Sequence, residues 1–176
     1  MPLLPKFTAI AACDPNGIMG RDGTLPWHYP EDLHHFRRST LGHVMVMGYK
    51  TYLSMPPRAF EGRTSFVFTR SNSVDPAHAT PVGGLEELAK AYSENRHLLE
   101  KTQFVIGGSE IFDLFFNESL IEYALITHVE KSYPGETLFP LKFLESALQE
   151  SSEHLEELSI AKYKISYRSP KPSGSL

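Results

Sequence analysis

Phe104-Val105-Ile106-Gly107-Gly108-Ser109-Glu110-Ile111-Phe112-Asp113-Leu114-Phe115-Phe116 is a short apolar run, two glycines, and then apolar residues at helical spacing. That order reads as a buried strand turning directly into a helix. Val44-Met45-Val46-Met47-Gly48-Tyr49-Lys50-Thr51 repeats the arrangement, with a brief helix expected over Thr51 to Met55. A fully apolar run carries no alternation, so both strands are expected to be covered on both faces, as in a parallel sheet. Further runs extend the pattern. Phe7 to Cys13, Thr64 to Thr69 and Ile121 to Glu130 read as strands, Glu31 to Leu41 and Gly84 to Asn95 as helices. Strands alternating with helices predict an α/β fold with right-handed crossovers. Leu155 to Leu158 and Ile160 to Tyr167 flank Ser159 with no helix between them, and so predict a C-terminal antiparallel hairpin. The chain reads as one domain over residues 1–168, with 169–176 a disordered polar tail.

Composition narrows the function. The 176 residues are 41% hydrophobic and 22% charged, with a net charge of −4, which argues against general affinity for nucleic acid. Residues 1–80 carry 8 Lys and Arg against 6 Asp and Glu; residues 81–176 carry 9 against 15. An anion site therefore draws its cations more readily from the first half. With one cysteine, Cys13, no internal disulfide can form, and no Cys-rich metal site is possible. No window approaches the roughly 20 apolar residues needed to span a bilayer, so no membrane partner is expected. The chain reads as cytoplasmic. None of the eight histidines forms a ligand cluster, and the adjacent His34 and His35 are both expected to face solvent. No nucleophile motif is present.

Three features can carry chemistry. Asp32 sits in the first turn of the helix that follows Pro30, about 40° around the axis from Phe36 and so beside its apolar arc. An acid there complements the helix dipole. It also follows a long loop, residues 15–30, with three Gly and three Pro, of the kind that serves as a lid or a binding loop. The two glycine junctions offer N–H groups to an anion and can equally be ordinary turns. Neither has the spacing of a dinucleotide or P-loop fingerprint. Arg63 and Arg70 follow a glycine and a strand end, where a guanidinium suits a carboxylate or phosphate, or simply solvent.

Together, Ile18-Met19-Gly20, Leu25-Pro26-Trp27, Asp32, Phe36 and Thr40 resemble the signature of dihydrofolate reductase. Met47-Gly48-Tyr49-Lys50-Thr51, Gly62-Arg63, Phe68-Thr69-Arg70, Ile106-Gly107-Gly108, Thr127, and Gly135-Glu136-Thr137 with Phe139 follow in that family's order. The resemblance covers roughly residues 7 to 168. It implies a mostly parallel eight-stranded sheet with a C-terminal antiparallel hairpin and about four flanking helices. The implied reaction is NADPH-dependent reduction of 7,8-dihydrofolate, by a monomer that also binds antifolates. Asp32 would be the acid of the pterin pocket, supported by Thr127 and with Trp27 beside it. Ile10, Ala12, Leu33, Phe36, Met55, Phe60, Ile106 and Phe112 would line that pocket, and Arg63 would hold the substrate's α-carboxylate. Residues 14–29 would be a lid over the nicotinamide with Met19, Gly20, Leu25 and Trp27 nearest the site, so the cofactor would meet Ala12 and, at the lid, Met19, Gly20 and Leu25. Its phosphates would meet Gly48, Tyr49, Lys50, Thr51, Gly107, Gly108, Ser109, Glu110 and Ile111, and its 2′-phosphate Thr69 and Arg70. No metal is implied. Tyr49 stands where that family usually has arginine, and Phe112 where many members have tyrosine. A related pterin or pyrimidine reductase of the riboflavin-pathway type, and a non-catalytic nucleotide-binding module, remain as alternative readings.

Overall fold

The computed structural model describes residues 3–20, 26–71 and 73–167. The expected tail at 169–176 and the lid residue Leu25 lie outside the described residues. One eight-stranded sheet organises the rest, in the order β5-β4-β3-β6-β1-β7-β10-β9. Its strands are β1 (Phe7–Cys13), β3 (Val44–Gly48), β4 (Thr64–Phe68), β5 (Thr80–Val82), β6 (Gln103–Gly107), β7 (Ile121–Val129), β9 (Leu148–Leu155) and β10 (Leu158–Lys164). From β5 to β7 every described pair is parallel; β10 runs against both of its neighbours. The helices are α1 (Pro30–Thr40), α2 (Tyr49–Ser54), α3 (Leu85–Glu94) and α4 (Ser109–Asn117). β2 (Ile18–Gly20) and β8 (Thr137–Leu138) form a small second sheet. Among the described residues no helix is long and apolar enough to cross a membrane.

The unalternating strands are buried on both faces, as their composition requires. Val44 and Val46 join the core shared with Leu88 and Tyr92 of α3 and Phe112, Phe115 and Phe116 of α4. Met45 and Met47 face the other way, into a core with Phe60 and Val67 against which Phe36 of α1 packs. Pro at the first position of α1 starts that helix, and Glu31 and Asp32 complement its positive end.

Two boundaries differ from the sequence reading. The hairpin turns at Glu156-Glu157, and Ser159 lies inside β10 opposite His154. Glu157 anchors that turn through its carbonyl, which accepts from Glu130 N at 3.1 Å, and through a 2.8 Å ion pair with Lys131. Seven of the eight β9 residues are exposed, so this edge strand has no apolar pattern to announce it. α2 begins directly after Gly48, two residues earlier than expected.

The corner between α1 and β4 turns on Gly62. Its φ is +71°, its carbonyl accepts from Gly42 N at 2.8 Å, and an added Cβ would lie 2.9 Å from Leu41 Cδ1. The clash is with a flexible side-chain end, so the backbone conformation dominates the cost of substitution. Gly62→Ala is expected to destabilise the protein by roughly 1–2 kcal/mol, lowering Tm by about 2–8 °C in a thermal melt.

Candidate active site

A cleft of about 1570 Å³ opens between α1, the C-terminal ends of the central parallel strands, and the 54–63 segment. Binding sites of open parallel sheets form at this end of the strands. Asp32 enters the cleft from the first turn of α1, and β1 contributes Ile10 and Ala12 to the floor. Burial drives the Asp32 carboxyl above the ordinary aspartate range, because the charged form loses its hydration. The Thr127 hydroxyl and the nearby His35 pull it partly back. Thr127 is buried on β7, beside Ala12 of β1 in the sheet register. Trp27 Nε1 and His35 Nε2, on two residues that line the cleft, are buried polar atoms with no hydrogen-bond partner in the described structure. Native interiors rarely leave such atoms unpaired, so this part of the cleft is suited to a polar ligand or bound water.

The mouth is braced by Arg63. Its Nε donates to Thr40 Oγ1 at 2.9 Å, Nη1 to the Glu61 carbonyl at 2.8 Å, and Nη2 to the Arg37 carbonyl at 3.0 Å. The Thr40 hydroxyl in turn donates to the Phe36 carbonyl at 2.8 Å. The Arg37 carbonyl in the last turn of α1 thus accepts from a cation, which also suits the helix dipole. A guanidinium has five N–H groups, so one on each terminal nitrogen stays free for a ligand. Arg37, Arg38 and Arg58 line the same cleft.

At the opposite end the two glycine junctions lie side by side. A Cβ on Gly48 would sit 3.2 Å from Ile111 Cγ1 and 3.9 Å from Gly108 N; one on Gly107 would sit 3.4 Å from Thr51 Oγ1. Backbone this close leaves a shallow cradle, lined by Gly48, Tyr49, Lys50, Thr51, Gly107 and Gly108. Ser109, Glu110 and Ile111 of α4 continue it. The unpaired amides at the start of α4 fit an anion such as a phosphate. Ser109 Oγ donates to the Leu138 carbonyl of β8 at 2.6 Å, tying the cradle to the small β2–β8 sheet.

Leu33, Phe36, Met55 and Ile106 line the cleft as expected, as do Met19 and Trp27 at the lid. Gly20 forms the end of β2. Five expected residues do not line the cleft, Thr127 among them, since it is buried on β7 behind the wall. Phe60 is buried, stacked on His78 with centroids 5.2 Å apart, because the turn at Pro57–Ala59 presents Ala59 to the cleft instead. Phe112 faces the sheet, fully buried and edge-on to Phe139 at 5.1 Å, leaving Ile111 to line the cleft. Thr69 and Arg70 lie past the wall, which ends on that side at Phe68; Thr69 Oγ1 accepts from Ser71 N at 3.0 Å.

His35 is a correction of another kind. His34 is exposed, but His35 turns into the cleft one helical turn after Asp32. Asp14 was also missed. Its buried carboxylate accepts from Asn16 N, Ile18 N and Tyr133 N at 2.8–2.9 Å and anchors the base of the lid. The Asp-Pro-Asn-Gly turn hinted at its local role, but nothing local marks the partner at Tyr133. Cys13 is fully buried, and its thiol is pushed up to about 12, chiefly by burial, so it is no nucleophile. No metal-binding cluster occurs among the described residues.

Residues 6–169 match the family model described as dihydrofolate reductase. The chain is 35% identical over 140 residues to dihydrofolate reductase HdrB of Haloferax volcanii, covering 77% of this chain and 71% of that protein. It is 29% identical over 160 residues to the dihydrofolate reductase of Mycoplasma genitalium, covering 89% and 96%. The fold matches a solved dihydrofolate reductase from Enterococcus faecalis, complexed with NADP(H) and RAB-propyl, with a TM-score of 0.72 and 23% identity. That alignment covers 91% of this chain and 96% of the other. This chain belongs to the dihydrofolate reductase family.

Proposed function

We propose that Asp32 is the acid of the NADPH-dependent reduction of 7,8-dihydrofolate that membership of this family assigns to the enzyme. One observation supports this above the others: a desolvated carboxyl, met only in part by the Thr127 hydroxyl, lines the same cleft as Trp27, whose buried Nε1 has no partner in the described structure. A pterin ring has an amino group and a ring amide along one edge, which give such a carboxyl complementary hydrogen-bonding partners. A pure nucleotide-binding module has no use for a buried acid, and a substrate with a carboxylate tail would engage the two N–H groups of Arg63 that its internal bonds leave over. Both features favour folate over the alternative readings.

Reduction adds a hydride to carbon and a proton to the neighbouring ring nitrogen. Bound NADPH supplies the hydride. The glycine cradle, Lys50, Thr51 and Ser109 would hold its phosphates, with Ala12 and Met19 toward the nicotinamide end. Arg63 would hold the tail carboxylate through its two free N–H groups, its plane already fixed by three internal bonds. Ile10, Leu33, Phe36, Met55 and Ile106 provide apolar walls that exclude water and fix the ring at reacting distance. Burial keeps Asp32 protonated to a higher pH than an ordinary aspartate, which favours proton delivery to the ring nitrogen, directly or through bound water. No nucleophile is needed, consistent with the inert Cys13. We further read the enzyme as a cytoplasmic monomer. Its single, buried cysteine suits a reducing compartment, and its polar edge strand β9 discourages pairing between sheets.

Four outcomes follow. Dihydrofolate-dependent loss of NADPH absorbance should decline as pH rises through the Asp32 titration, since the protonated form is the active one. Asp32→Asn should lower turnover by roughly 10²–10⁴-fold while leaving NADPH binding intact by fluorescence titration. The same change should raise Tm at neutral and alkaline pH. A carboxyl whose pKa is raised by folding contributes stability below its unfolded pKa and loses it as pH climbs through the folded value, a loss the amide does not suffer. Arg63→Leu should raise KM for dihydrofolate by roughly 10- to 100-fold, the worth of a charge-assisted hydrogen bond. An unchanged KM would remove the carboxylate-binding assignment.

A further inference from the structure

Asp32, His35 and Arg38 succeed one another at three-residue steps along α1, so each lies about one turn from the next. Beneath this ridge, Thr127 of β7, Ile160 of β10 and Glu153 of β9 stand directly opposite one another in the sheet register and share one face. Thr127 acts on Asp32, and Glu153 acts on His35. The imidazole therefore occupies the interval between the desolvated carboxyl of the cleft and the exposed edge of the sheet. Its own bonding is incomplete. Nδ1 is 3.5 Å from Ser39 Oγ, the outer limit of a hydrogen bond, and the buried Nε2 has no partner. An apolar ring would fill this place without an orphaned nitrogen, so the histidine calls for an explanation beyond packing.

We propose that His35 is a positioning residue that governs whether the Asp32 carboxyl is charged, acting on it across one turn of α1. The proposal rests on the reading of Asp32 as the acid of the reductase. A neutral imidazole leaves the desolvation of Asp32 unopposed and favours the protonated acid. An imidazolium at the same place favours the carboxylate. The charged groups acting on His35 are Asp32 and Glu153, which favour the imidazolium, and Arg38, which opposes it; burial opposes it most strongly. Burial thus moves the carboxyl up and the imidazole down, while the attraction between them opposes both shifts.

The test compares the pH dependence of dihydrofolate-dependent NADPH oxidation in the native enzyme, His35→Phe and His35→Lys. Removing the ionisable ring should move the profile to higher pH, and a permanent cation should move it to lower pH. Above the native midpoint the Phe variant should then turn over several-fold faster than the Lys variant. Packing damage alone lowers the rate without opposite shifts of the midpoint. If the Phe variant does not fold, His35→Gln, neutral and polar, must give the same upward shift. Coincident profiles, or shifts of one sign in both variants, would overturn the proposal. A native protein with no dihydrofolate-dependent oxidation would instead overturn the reductase reading. Carboxyl NMR titration of Asp32 in the same variants, requiring the same opposite shifts, then decides the coupling on its own.

Discussion

A carboxylate held out of water is costly unless something meets it, and Asp32 is met inside the protein only in part. The elements around it are arranged to keep that imbalance in place. Pro30 starts α1 so that its first turn faces the ends of the strands, Phe36 anchors the helix to the Met45–Met47 face of the sheet, and Thr127 stands below. The helix dipole softens the burial but leaves the acid easier to protonate than one in water. The strain is local, and the ordinary core of a parallel sheet carries it.

The two ends of the cleft are built on opposite principles. At the cradle, the absence of side chains on Gly48 and Gly107 lets two strand–helix junctions approach until a Cβ on either would meet the other's neighbours. At the mouth, a long cation is immobilised by three internal acceptors, so its remaining donors are already oriented. Small groups admit one ligand and a rigid one addresses the other, with the acid between them. The reaction asks this arrangement for positioning and one proton.

Much of this was legible in the chain because it depends on local spacing. The unbroken apolar runs at Val44–Met47 and Phe104–Ile106, each closed by glycine, announced doubly covered parallel strands and their junctions. Asp32 was legible from the proline before it and the apolar arc beside it. Features fixed by tertiary contact were not legible. Phe60 and Phe112 carry the apolar character expected of a pocket wall, yet a one-residue rotation of the local turn or helix buries them and gives the wall to Ala59 and Ile111. Strand β9 is polar between its terminal leucines, and only its pairing with β10 makes it a strand. His35 and His34 are chemically identical and lie about 100° apart on the helix; only the sheet beneath α1 makes one a cleft residue.

The account stands on the Asp32 carboxyl being harder to ionise than an aspartate in water. Carboxyl NMR of ligand-free protein, with the resonance assigned by its loss in Asp32→Asn, measures this without reference to turnover. A midpoint clearly above the ordinary aspartate range is the predicted result; one at or below that range would contradict it.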